Sequence, residues 1–152
     1  MEMADMIDRR LISLGLDVKD KEDAIQKICR MMYDAGKVID YKEYLAGVRE
    51  RESECATGMG NGIAIPHCKN SCVKDAAFTL VKLKKPIEWG ALDNEPVDYV
   101  IMLAAPDSSD NVHLKMLSKL AVNLMDDGFR KSLKDAADID QIINIFQTRK
   151  EQ

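Results

Sequence analysis

The run Tyr99 to Ala105 is unbroken in apolar residues and is the longest such run in the chain. It lies inside the strand candidate Val97 to Ala105 (VDYVIMLAA). A strand with one wet face alternates apolar and polar side chains, so a run without alternation belongs to a strand buried on both faces. Such a strand requires cover from both sides, and this chain has helical patterns before and after it. The run is far short of the ~20 residues that span a bilayer, so no direct membrane insertion is expected. A second strand candidate is Ala76 to Leu83 (AAFTLVKL).

Before the strands, Ala24, Ile25, Ile28, Met31 and Met32 recur at spacings of three and four, with acid in the first turn and Gly36 at the end. This pattern predicts a helix over Lys21 to Ala35. Asp40 is a good N-cap for a second helix through Tyr44, Leu45 and Val48 to about Arg51. Leu11 to Val18 has no clean helical period and reads as a short element followed by a connection. Ile63 to Ile65 reads as a brief strand stopped by Pro66, with His67 at its end. The segment between Ile87 and Pro96 is rich in turn signals. After Pro106, Asp107-Ser108-Ser109-Asp110 offers N-caps for a helix through Leu124, and shorter helical patterns occupy Phe129 to Ala136 and Ile139 to Phe146. No repeat or linker divides residues 1–152. The expectation is one α/β (or α+β) domain, a small mixed parallel and antiparallel sheet flanked by helices.

Twenty-two Lys and Arg against 26 Asp and Glu leave a net charge of −4. That balance argues against nucleic acid as a partner, which would require a basic surface. The first residues carry acid where a secretory signal carries base, so a cytoplasmic location is expected. Cys29, Cys55, Cys68 and Cys72 sit in a domain large enough to need no bridges and read as free thiols.

Histidine chemistry is confined to His67 and His113. His67 follows the densest glycine cluster, Thr57-Gly58-Met59-Gly60-Asn61-Gly62, and His113 falls in the first turn of a predicted helix. For an isolated histidine the ordinary role is a satisfied polar group near the surface. Here the surroundings suggest more. Backbone amides of a glycine-rich loop and a helix N-terminus both favour an anion, and Arg51 could supply a planar charged fork. If the fold brings them together, Thr57, Gly58, Gly60, Asn61, Gly62 and Arg51 would hold a phosphate beside an imidazole nucleophile. The glycines match neither the P-loop nor the dinucleotide pattern. Cys55, Cys68 and Cys72 with His67 match no standard zinc spacing, so no metal site is expected.

The string Glu52-x6-Met59-Gly60-x2-Ile63-Ala64-Ile65-Pro66-His67-Cys68 resembles the active-site signature of the fructose/mannitol-type enzyme IIA domains of the bacterial phosphoenolpyruvate-dependent sugar phosphotransferase system. Arg51-Glu52, Lys85-Pro86-Ile87, Leu92 to Val97, Ala105-Pro106 and His113-Leu114-x2-Leu117-Ser118 extend the resemblance over essentially the whole chain. It implies that His67 is the phosphorylated histidine, His113 a supporting histidine and Arg51 the arginine near the phosphoryl group. It also implies HPr as phosphoryl donor, an enzyme IIB as acceptor, a mixed sheet flanked by helices, and no metal or organic cofactor. Cys68 stands where glycine is most usual. The same family includes nitrogen-related regulatory IIA proteins, in which the histidine is a switch, so a regulatory role is the alternative to sugar uptake.

Overall fold

A computed structural model describes residues 3–107 and 111–148 of the chain, with the side chains of Met3, Val112 and His113 outside that description. Asp20 caps helix α1 (Lys21–Asp34), its carboxylate accepting from the amide of Asp23, and Gly36 follows at φ +75°. Asp40 caps α2 (Tyr41–Glu54) in the same way through the amide of Glu43. The Asp40 cap stands where the sequence placed it, and α1 begins at Lys21 as its spacing predicts. Helix α2 runs on past Arg51 to Glu54, which puts Arg51 and Glu52 in its last turn. The apolar segment before α1 contains strand β1 (Ile12–Leu16).

Both long strand candidates are broken, and the break divides the expected single sheet into two. Ala76 to Leu83 resolves into β5 (Ala77–Phe78) and β6 (Leu80–Ile87), and Val97 to Ala105 into β7 (Val97–Val100) and β8 (Leu103–Pro106). At the break the amide of Thr79 donates to the carbonyl of Met102 at 2.9 Å, and the amide of Met102 donates to the Thr79 hydroxyl at 3.0 Å. A side-chain oxygen replaces a ladder carbonyl there, so the chain changes sheet without orphaning a buried amide.

The glycine cluster, expected as a loop, forms a hairpin: β2 (Gly58–Gly60) and β3 (Ile63–Ala64) pair antiparallel. Asn61 and Gly62 make the two-residue turn, both at positive φ, 58° and 77°. Asn-Gly is the strongest short-range hairpin signal because a type I′ turn requires that backbone at both positions. His67 does not end β3 but opens the next strand, β4 (His67–Asn70), in the other sheet. The five-stranded sheet has the order β1-β6-β7-β3-β2 and the three-stranded sheet β4-β8-β5, each with parallel and antiparallel pairs.

Three helices close the chain: α3 (Val112–Leu124), α4 (Asp127–Asp135) and α5 (Ile139–Thr148). Asn111, at φ +59°, precedes α3 and makes no side-chain cap. Of the cap candidates, Asp107 lies outside the helix, and Ser108, Ser109 and Asp110 lie outside the described residues. Alternate residues of the apolar run divide between two cores. Val100, Met102 and Ala104 join the cluster packed with α1 and α2, while Tyr99, Ile101, Leu103 and Ala105 join the one packed with α3, α4 and α5. All seven are 0–1% exposed. The two-sided burial expected of this run is thus realised, with helices over both faces.

Candidate active site

The site forms where the last turn of α2 meets the first residue of β4. Register pairs His67 with Leu103 of β8, and the hydroxyl of Tyr44 on α2 donates to the Leu103 carbonyl at 3.0 Å, which ties α2 to this end of the small sheet. Nε of Arg51 then lies 3.1 Å from Nε2 of His67, and Nδ1 of the same ring lies 2.8 Å from the Ile65 carbonyl.

These two contacts assign the tautomer. A guanidinium has only donors and a carbonyl oxygen only accepts, so Nε2 must offer its lone pair and Nδ1 must carry the proton. An imidazolium would turn a second donor toward Arg51. The electrostatics point the same way: burial, with the Arg51 charge added, lowers the His67 pKa below 6.5, against smaller upward effects from the Ile65 carbonyl and Glu52. The ring is therefore held neutral, with its nucleophilic nitrogen toward Arg51. Arg51 itself is steadied by donation from Nη1 to the Cys55 carbonyl at 3.0 Å.

A cavity of about 300 Å³ borders the ring, lined by Arg51, Glu54, His67, Cys68, Lys69 and Asn70, with Gly47 and Glu50 on its α2 side. His67 is only 9% exposed, so an incoming group has a restricted approach to it. His113 stands in the first turn of α3, which packs on β8, the strand next to β4; its side chain lies outside the described residues.

The hairpin residues expected to cradle an anion make contacts of their own within the fold. The amide and hydroxyl of Thr57 are bonded to Glu52, and the amide of Asn61 donates to Asp93 at 3.1 Å. Gly58 has no room for a side chain: a Cβ there would meet Ala91 at 2.8 Å. Gly60 and Gly62 hold positive φ, and at Gly62 a Cβ would also meet Asp98 at 2.8 Å. The amides of Thr57 and Asn61 thus have carboxylate acceptors in this structure, and Gly58, Gly60 and Gly62 stand where close packing or positive φ requires glycine.

Cys55 is exposed at the end of α2, while Cys29, Cys68 and Cys72 are buried. Among the described residues no three His, Cys, Asp or Glu side chains come together as metal ligands. No described helix is long and apolar enough to cross a membrane.

The residue whose part sequence reasoning did not resolve is Glu52. It is 8% exposed, and its carboxylate accepts from the Trp89 indole at 2.6 Å, from the Thr57 amide at 2.9 Å and from the Thr57 hydroxyl at 2.7 Å, with Nζ of Lys21 at 3.0 Å. Its place in the signature is a signal, but besides nearby Thr57 its partners Lys21 and Trp89 come from two distant parts of the chain.

Residues 5–148 match the family described as phosphoenolpyruvate-dependent sugar phosphotransferase system, EIIA 2. The chain is 35% identical over 146 residues to the PTS system fructose-specific EIIABC component of Bacillus subtilis, covering 96% of this chain but 23% of that protein's length. It is also 35% identical to the PTS system fructose-specific EIIA component of Haloferax volcanii, over 83% of this chain and 82% of that one. In three dimensions it resembles the nitrogen regulatory protein IIA-Ntr of Neisseria meningitidis, with a TM-score of 0.87 at 24% identity over 94% of this chain and 97% of that one. It also resembles enzyme IIAMTL from Escherichia coli, solved in complex with phosphorylated enzyme IIBMTL, with a TM-score of 0.80 at 22% identity over 94% and 98%.

Proposed function

The chain belongs to the EIIA 2 family of the phosphoenolpyruvate-dependent sugar phosphotransferase system, and on that premise we propose that it takes a phosphoryl group from phospho-HPr on His67 and passes it to an enzyme IIB. The observation that carries this reading is the neutral imidazole with Nε2 beside Arg51 and its Nδ1 proton on a backbone carbonyl. Fructose-type uptake is the favoured setting, because two relatives at 35% identity, one of them matched over 82% of its own length, are fructose-specific by name.

The reaction follows from those two contacts. As the donor's P–N bond breaks, Nε2 attacks phosphorus in line, and Arg51 exchanges the ring nitrogen for the phosphoryl oxygens. Phosphoryl transfer asks a protein chiefly for such positioning and charge stabilisation. The ring keeps its Nδ1 proton against the Ile65 carbonyl throughout. When the acceptor attacks, His67 therefore leaves as neutral imidazole, a far better leaving group than the anion. His113, in the first turn of α3, is assigned a supporting part in the onward step, where the positive end of a helix also favours the phosphate.

Incubation with phosphoenolpyruvate, enzyme I and HPr should add one acid-labile phosphoryl group, on Nε2 of His67. Labelling retained in His67→Ala would overturn the assignment. His113→Ala should still accept the group and pass it to the IIB protein slowly; normal onward transfer would remove His113 from the mechanism.

A further inference from the structure

Glu52 belongs to the signature but has no part in the chemistry just described. A carboxylate in so buried a place loses much of its hydration, and an apolar residue of its size would fill the space at less cost if packing were all that mattered. Its bonds lead in two directions, and both end on His67.

In one direction Glu52 holds Thr57 by amide and hydroxyl. The Thr57 carbonyl accepts from the amide of Ile65 at 3.1 Å, and the Ile65 carbonyl accepts from Nδ1 of His67. In the other direction Glu52 is bonded through the chain to Arg51, whose Nε reaches Nε2 of the same ring. Glu52, Thr57, Ile65, His67 and Arg51 thus form a closed circuit that grips the imidazole by both nitrogens. Lys21 and Trp89 brace it from outside: Nζ of Lys21 reaches the Glu52 carboxylate and donates to the Trp89 carbonyl at 3.1 Å, while the indole donates to Glu52.

We propose that Glu52 is a positioning residue for phosphoryl transfer: by fixing Thr57 to the last turn of α2, it sets the Ile65 carbonyl and Arg51 at the separation that holds His67 in one tautomer and one orientation. Lys21 neutralises its charge, so a carboxylate can stand one residue from Arg51 without repelling an incoming phosphate. The proposal rests on the reading of His67 as phosphoryl acceptor.

The test uses the full chain labelled with 15N-histidine, as wild type, Glu52→Gln and Thr57→Val. Two quantities are read: the rate of phosphoryl uptake from phospho-HPr per folded molecule, and the tautomer of His67 from its ring nitrogen shifts. Gln keeps the volume but places an amide donor where the carboxylate accepts. Glu52→Gln should slow uptake by about 10- to 100-fold, the scale of a small misplacement of reacting groups. It should also convert the single Nδ1–H tautomer into a mixture and shift the emission of Trp89, the one tryptophan in the chain. Thr57→Val keeps the amide bond and removes the hydroxyl, so it should act in the same direction by a smaller factor, and it carries the test if Glu52→Gln does not fold. A lowered melting temperature with uptake and tautomer unchanged would overturn the proposal and leave Glu52 structural. If wild type takes no phosphoryl group, the carrier reading fails, while the tautomer comparison still decides whether Glu52 positions the ring.

Discussion

Arg51 touches the ring of His67 with Nε, 3.1 Å from Nε2, while its Nη1 is held by the Cys55 carbonyl at 3.0 Å. The guanidinium bridges the end of its own helix and the nucleophile, a reach that depends on two donors fixed in one plane. A lysine ammonium is a point charge on a flexible stem and lacks that geometry. Arg51→Lys should therefore slow phosphoryl uptake by roughly 10-fold despite keeping its charge, and Arg51→Ala by about 100- to 1000-fold, on the scale of removed oxyanion donors. Rapid-quench measurement of transfer from phospho-HPr checks both; wild-type rates in Arg51→Ala would make the arginine structural.

The titration of His67 follows from its surroundings. Burial first, then Arg51, lower its pKa, so an NMR titration should find its midpoint below about 6.5. Arg51→Ala removes a neighbouring cation and should raise that midpoint. Because the folded value is depressed, the unfolded chain binds this proton more readily. The associated stability is present above about pH 6.5 and is lost as pH falls through the folded value. Thermal melts should show a shallower acid-side decline in His67→Gln; identical pH profiles for the two proteins would contradict this.

Gly47 and Cys68 share one space. A Cβ on Gly47 would lie 2.5 Å from Cys68 Sγ, although alanine is favoured over glycine in a helix by about 1 kcal/mol. Overpacking should win, and Gly47→Ala should destabilise by about 1–3 kcal/mol in urea melts. In a Cys68→Ala background the other atoms near that Cβ are at 3.5 Å or beyond, so Gly47→Ala there should be neutral or stabilising. Equal effects in both backgrounds would show that the thiol is not the obstacle.

Thr79, 0% exposed, supplies the hydroxyl that satisfies the amide of Met102 where the chain changes sheet. Thr79→Val keeps the shape and orphans that buried amide. A loss of about 1–3 kcal/mol is expected by denaturant unfolding. An unchanged midpoint would mean that the amide finds another acceptor.

Local rules made much of this molecule legible in its sequence. Asp20 and Asp40 are caps because a carboxylate satisfies free amides at a helix start wherever it stands, and the spacing of Ala24, Ile25, Ile28 and Met32 defines a buried face without reference to any partner. Asn61-Gly62 carries such a local signal too, the dipeptide of a two-residue hairpin turn inside a cluster whose glycine content suggests a loop. Three features were invisible in principle. Tyr99 to Ala105 declares two-sided burial, but that it changes sheet midway depends on Thr79, more than twenty residues earlier, offering a hydroxyl to Met102. Likewise His67 and Arg51 can be picked out as chemical types, but the tautomer depends on which groups face each ring nitrogen. The role inferred for Glu52 depends on Lys21, Thr57 and Trp89 meeting at one carboxylate. Propensity, capping and periodicity act over a few residues and are written in order along the chain. Hydrogen-bond direction and charge at a buried site are set by groups that only folding brings within 3 Å of one another.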